Sequence, residues 1–266
     1  MTRPALAAAL LLAACSAESD PAPTAKSAAA AERASPTKPA TPKAAGAKPR
    51  KIEEKSDLLE FSYSWPAEAA AIPPLNARFE AEAAKARPEA LAMAKEDRHG
   101  RGPDLPFNGH YFQAQWETMG DAPALLSLAG EIATFTGGAH GNSVYDSLLW
   151  DRAAGRPVPA ADLFERSKAA FAAMSPVYCA ALDKQRAEKR EETLPLSGDG
   201  WMVECPALAE QVIAPVDANK DGRFELLRVL IAPYGAGPYA EGSYEVDVPV
   251  TPAIRKMVKK AYRVAF

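Results

Sequence analysis

Only three histidines occur, His99, His110 and His140, and none stands at metal-ligand spacing from another or from a cysteine, which argues against a zinc site. The chain also lacks a Gly-x-Ser-x-Gly elbow, a Walker loop and a dinucleotide fingerprint, so the common nucleophilic and phosphate-cradling chemistries lack their residues. His140 stands apart from the other two. It sits in Thr136-Gly137-Gly138-Ala139-His140-Gly141, where flanking glycines leave the imidazole accessible and let backbone N–H groups approach a ligand. A hairpin loop whose glycines merely supply positive φ fits the same residues. A second loop, Tyr234-Gly235-Ala236-Gly237-Pro238-Tyr239-Ala240-Glu241-Gly242, joins tyrosines to glycines. Exposed tyrosines on a rigid loop recognise partners, and packed ones cap the end of a sheet. Gly137, Gly138, His140, Tyr234, Tyr239 and Glu241 are therefore the candidate ligand-binding residues. Acid–base hydrolysis by His140 with a carboxylate such as Glu241 is the alternative chemistry, although a lone histidine needs further partners.

Asp217-Ala218-Asn219-Lys220-Asp221-Gly222 matches the first half of a calcium loop, with Asp217, Asn219 and Asp221 as alternating oxygen ligands. The second half fails, because Arg228 occupies the twelfth position, where a bidentate carboxylate is needed. A tight hairpin turn demands the same residue types. No metal or cofactor is expected.

These candidates need elements to position them, and an address. Arg3 followed by the apolar run Ala5–Ala14 is too short to span a bilayer and reads as a signal peptide over residues 1–14. Leu12-Ala13-Ala14-Cys15 matches a lipobox, so Cys15 is expected to be acylated and to hold the mature chain on the lipid bilayer. Ser16 after it favours the outer membrane, facing the periplasm, if the organism is Gram-negative. Cys179 and Cys205 remain as an even pair in an oxidising compartment and are expected to be bridged.

Residues 15–55, rich in Ala, Pro and Lys, read as a linker with a reach of about 35–40 Å. A globular body over 56–266 follows, with possible halves 56–165 and 166–266. Leu59, Phe61, Tyr63 and Trp65 alternate with polar residues and predict a strand ended by Pro66. A helix is expected over about 74–97 with a break at Pro88, then a meander of three strands near 109–118, 123–136 and 142–151. Phe171, Met174, Tyr178 and Leu182 mark one face of a second long helix over about 166–191 with a solvated end, kinked at Pro176. Strands near 222–232 and 243–250 precede a C-terminal helix from Pro252. The predicted class is α+β: antiparallel sheets with two long helices and a C-terminal helix.

Charge is uneven. Residues 16–55 carry eight Lys/Arg against five Asp/Glu, net +3, whereas residues 56–266 carry 22 against 29, net −7. A basic tether suits anionic lipid, and an acidic body repels nucleic acid and favours cationic partners.

The stretch Phe135-Thr136-Gly137-Gly138-Ala139-His140-Gly141-Asn142, followed by Asp151, Gly155 and Asp162-Leu163-Phe164, resembles the RsiV-like family of extracytoplasmic bacterial domains. Leu230 to Pro249, with Tyr234, Tyr239, Gly242 and Val248-Pro249, is similar to that family's C-terminal half. The family includes a lysozyme-binding anti-sigma factor ectodomain and the non-catalytic N-terminal region of a peptidoglycan deacetylase. The resemblance implies an α+β envelope domain that binds a protein such as lysozyme, or peptidoglycan, and has no catalysis of its own. The chain shows neither a membrane-spanning helix with a cytoplasmic anti-sigma part nor a deacetylase domain, which points to a stand-alone lipoprotein. A structural or assembly lipoprotein without a soluble ligand is the competing expectation.

Overall fold

The computed structural model describes residues 46–102 and 105–266, which belong to one compact unit. The expected signal peptide, Cys15 and most of the expected linker lie outside the described residues. In chain order the elements are β1 (Arg50–Lys55), β2 (Leu59–Trp65), the one-turn helix α1 (Ala67–Ala70), α2 (Pro73–Arg101), β3 (His110–Asp121), β4 (Leu125–Phe135), β5 (Asn142–Asp151), β6 (Arg156–Val158), α3 (Ser167–Arg190), β7 (Val212–Val216), β8 (Leu226–Ile231), β9 (Tyr244–Pro249) and α4 (Pro252–Met257). They form a six-stranded sheet in the order β1-β2-β3-β4-β5-β6 and a three-stranded sheet β7-β8-β9. The class is α+β, as expected. One pair departs from the antiparallel expectation: β2 and β3 run parallel, because α2 carries the chain back along the sheet between them.

The period-two pattern of β2 sends Leu59, Phe61, Tyr63 and Trp65 inward, all at most 4 % exposed, against α2. Leu75, Phe79, Ala83, Ala90 and Ala94 form the buried stripe of that helix. At the centre, Phe79 stacks on Trp65 at 5.8 Å and meets Trp116 at 5.1 Å, while the Trp65 indole N–H donates to Asn76 Oδ1 at 3.0 Å. On β4, Gly130 lies opposite Trp116 in the register, and a Cβ there would stand 2.7 Å from indole carbons.

α2 runs unbroken through Pro88, contrary to the expected break. Pro88 and Ala84, whose carbonyl loses its helical partner, both face solvent, which leaves the freed oxygen open to hydration. The ordered body also begins earlier than residue 56. β1 reads as linker because five of its six residues are charged, yet it is a polar edge strand, tied to α2 by the Arg50–Glu80 and Arg87–Glu54 ion pairs. β6 and β7 were not foreseen. β7 holds Pro215, which is tolerated because the strand lies at a sheet edge.

The second core is built around α3. Phe171, Met174, Tyr178 and Leu182 are buried as the helical spacing requires, and the helix continues through Pro176. They pack against Val229, Ile231, Tyr244 and Val246 of the small sheet, and the same cluster takes in Leu125, Leu149 and Phe164 from the first part of the chain. The two expected halves therefore share a core and do not separate at residue 165. The final helix is short. α4 is capped by Thr251, whose hydroxyl accepts from Ile254 N–H, and ends at Met257, after which Val258 turns inward to bridge Phe164.

Candidate functional site

The β4–β5 hairpin loop and the β8–β9 loop, about a hundred residues apart in sequence, meet side by side. The His140 ring lies on the Tyr239 ring with centroids 3.7 Å apart and planes 19° from parallel. Tyr234 completes the cluster, 5.5 Å from Tyr239 and 6.3 Å from His140, with 54 % of its surface exposed. The His140 Nδ1 stands 2.7 Å from the Gly141 carbonyl, which can only accept, so Nδ1 carries the hydrogen. In the neutral ring Nε2 then accepts, and the Tyr234 hydroxyl faces it at 3.4 Å. Tyr239 donates its hydroxyl to the same Gly141 carbonyl at 2.9 Å.

Each loop is fixed from behind. Arg101 at the end of α2 donates to the Gly137 carbonyl at 2.7 Å and to Asp97 at 2.9 Å, while Asp97 also meets the buried His110 at 3.0 Å. These contacts hold the Asp97 carboxyl below its ordinary range, the Arg101 hydrogen bond being the largest cause. Gly137 has φ +87°, and a side chain there would strike the Arg101 guanidinium, so this glycine supports the loop; a Cβ on Gly138 would meet only the His140 carbonyl, at 3.9 Å. His110, invisible to motif reading, thus belongs to the scaffold of the His140 loop.

The other loop is held by the last turns of α3. Arg186, with a fully buried side chain, donates Nε–H to the Ala236 carbonyl at 2.8 Å, and Lys189 donates to the Glu241 and Ser243 carbonyls, both at 2.6 Å. Arg190 clasps Glu241 at 2.7 and 3.1 Å, and Tyr244 donates to the same carboxylate. The Glu241 carboxylate is thus engaged by Arg190 and Tyr244 within the protein. Among the described residues no carboxylate bonds His140, so the His140–Glu241 acid–base pair considered above is not formed.

Burial works to raise the Glu241 pKa, but Arg190 and Tyr244 outweigh it and the net shift is downward. The contribution of the clasp is thus fully present above about pH 4.3 and is lost as pH falls through the depressed value. Protection of the amides in residues 234–242, taken relative to intrinsic exchange at each pH, is expected to hold from neutral pH down to the ordinary carboxylate range and to fall only below it. Loss of that protection already near neutral pH would contradict this role.

The 217–222 loop sits elsewhere. Its Asp217, Asp221 and Glu225 carboxylates lie within 4.8 Å of one another. Asp217 accepts from the N–H groups of Asp221 and Gly222, Asn219 accepts from Asp221, and Glu225 accepts from Ala218. These bonds close a turn from within, and the expected result of a calcium titration is an unchanged melting temperature. A rise on adding calcium, reversed by chelator, would assign the loop to the ion.

Cys179 and Cys205 stand as a disulfide-capable pair and are bonded in the structure, with Cα atoms 5.5 Å apart. Among the described residues no helix is long and apolar enough to cross a membrane. An open cleft of about 750 Å³ lies on the polar face of β1–β3, floored by Ser62, Ser64, Gln113 and Gln115, and none of His140, Tyr234 or Tyr239 lines it. The aromatic cluster is an outward-facing surface.

Residues 52–143 match the family model described as deacetylase PdaC, a stretch that runs from β1 into β5 and includes the His140 loop but not Tyr234 or Tyr239. No curated protein matches the chain. Among solved structures, a member of the DUF3298 family from Bacteroides fragilis NCTC 9343 is 15 % identical, with 82 % of this chain and 96 % of that chain covered at a TM-score of 0.47. A DUF3298 family protein from Pseudomonas aeruginosa PAO1 is likewise 15 % identical, with 81 % of this chain and 95 % of that chain covered at a TM-score of 0.49. The PdaC match relates the part of the chain that carries His140 to an extracytoplasmic domain family, and this fits an envelope location.

Proposed function

We propose that the chain is a lipid-anchored envelope protein, tethered through Cys15, whose folded body binds a cationic protein through the His140, Tyr234 and Tyr239 surface. Lysozyme is the first candidate partner, following the resemblance described above. The observation that carries the reading is the stacking of His140 on Tyr239 at 3.7 Å beside the exposed Tyr234, which gathers two loops into one aromatic surface. Rigid aromatic side chains with polar tips supply contact area at low entropic cost and are enriched in protein interfaces. A protruding surface suits a broad partner better than a small molecule, which needs a concave site. The net charge of −7 over residues 56–266 favours a basic partner electrostatically.

The test is titration of lysozyme, and separately of purified peptidoglycan, against the detergent-solubilised protein at low and high salt. Binding to lysozyme that weakens with salt supports the reading. Binding to peptidoglycan alone would move the same surface to a wall ligand, and binding to neither would leave a structural or assembly lipoprotein.

A further inference from the structure

We infer that the Cys179–Cys205 bridge is a redox control on the recognition surface, and that Arg186 and Arg190 transmit it. The inference rests on the binding reading above only for its functional meaning; the physical coupling stands on its own geometry.

Spacings of four, three and four place Cys179, Asp183, Arg186 and Arg190 along one stripe of α3. Cys205 lies within the connection between α3 and β7, residues 191–211. The three carbonyls just before it all accept from the stripe: Met202 from Arg190 at 2.9 Å, Val203 from Arg186 at 3.1 Å and Glu204 from Arg186 at 2.9 Å. Other donors of the same two guanidinium groups reach the β8–β9 loop, while Arg186 Nη1 also holds Asp183 on α3 itself. Arg186 Nε–H goes to the Ala236 carbonyl at 2.8 Å and Arg190 Nε–H to Glu241 at 2.7 Å. Ala236 and Glu241 flank Tyr239, on which His140 is stacked. Each arginine is thus one rigid fork with the bridged segment on one side and the aromatic loop on the other.

The bridge holds the first side in place. Without it, residues 191–205, which carry the exposed Leu194 and Trp201, are held on α3 by these hydrogen bonds and by the buried Leu208 just beyond Cys205. Both cysteines are only partly buried while packing against the second core, so exchange begins where a thiolate reaches a sulfur. The reductant is a dithiol. Its thiolate attacks one sulfur of the bridge, forming a mixed disulfide and releasing the other cysteine, which takes a proton. Its second thiol then displaces the remaining cysteine. Two electrons pass to the bridge, leaving two protein thiols and the reductant as a disulfide.

Hydrogen exchange measured by mass spectrometry on the full chain, oxidised and reduced with dithiothreitol, tests this without any ligand. Reduction is expected to accelerate exchange about tenfold or more in residues 200–206 and in 234–242 while β2–β5 stay unchanged. Arg190→Gln in the oxidised protein is expected to accelerate 234–242 and to blunt its response to reduction, with Arg190→Lys restoring part of the protection. The Cys179→Ala/Cys205→Ala double variant should reproduce the reduced pattern. Loosening of 200–206 alone would overturn the transmission, and equal loosening of β2–β5 would reduce the bridge to a global staple. Because no partner enters the measurement, failure of lysozyme binding leaves its outcome untouched.

Discussion

Replacing Arg186 by methionine is expected to lower unfolding stability by about 3–5 kcal/mol, the range for removing one member of a buried charged network. The side chain is fully buried, yet four different groups accept its N–H donors: Asp183 at 3.1 Å and the carbonyls of Val203, Glu204 and Ala236. Methionine can fill the volume but leaves three backbone carbonyls with no partner, and each such orphan costs roughly 1–3 kcal/mol when water cannot replace the donor. Partial rescue by inward-moving water sets the lower end of the range. A urea titration should show a large fall in midpoint with an unchanged slope. A loss under about 1 kcal/mol would mean that the network is no better than a surface pair.

Phe79→Ala is the second large effect, about 3–5 kcal/mol. Phe79 is fully buried between Trp65 at 5.8 Å and Trp116 at 5.1 Å, with Tyr63 at 6.3 Å. These three rings come from β2 and β3, which are fixed by the sheet ladder, so they cannot collapse into the hole left by the lost ring. Truncation therefore adds a cavity to the transfer cost. The nearby Tyr63 hydroxyl, whose ionisation is suppressed chiefly by burial, donates to Glu82 at 2.8 Å and accepts from the Trp116 indole at 3.2 Å. Those bonds reinforce the rigidity. Near-native stability of the alanine variant would require a rearranged α2, visible as a change in tryptophan fluorescence.

Periodicity made most of this fold legible. Strong two- and four-residue patterns such as Leu59 to Trp65 and Phe171 to Leu182 became the elements they suggested. What stayed hidden had weak local signals overridden by context. Pro88 reads as a helix breaker until its solvent-facing position in α2 is known. β1 has the composition of a linker, and β7 contains a proline, so only pairing reveals them as strands. Arg186 continues the 171-174-178-182 stripe by one further turn, and that spacing could have marked it as buried in place of a solvated helix end. Composition picked out both site loops as recognition candidates, but not that His140 would lie on Tyr239, because that contact depends on a register fixed by two sheets and α3. Glu241 looked free in sequence for the same reason, with Arg190 and Tyr244 both distant or ambiguous until folded.

The central claim is that His140, Tyr234 and Tyr239 form the recognition surface. It is tested most directly by measuring lysozyme affinity for the detergent-solubilised protein beside Tyr239→Ala and Tyr234→Ala variants whose folding is checked by circular dichroism. The expected result is salt-sensitive binding to the parent protein and a loss of about thirtyfold in each variant, the size of a 2 kcal/mol interface anchor. Undiminished binding by both variants, or no binding of either lysozyme or peptidoglycan at low salt, would contradict it.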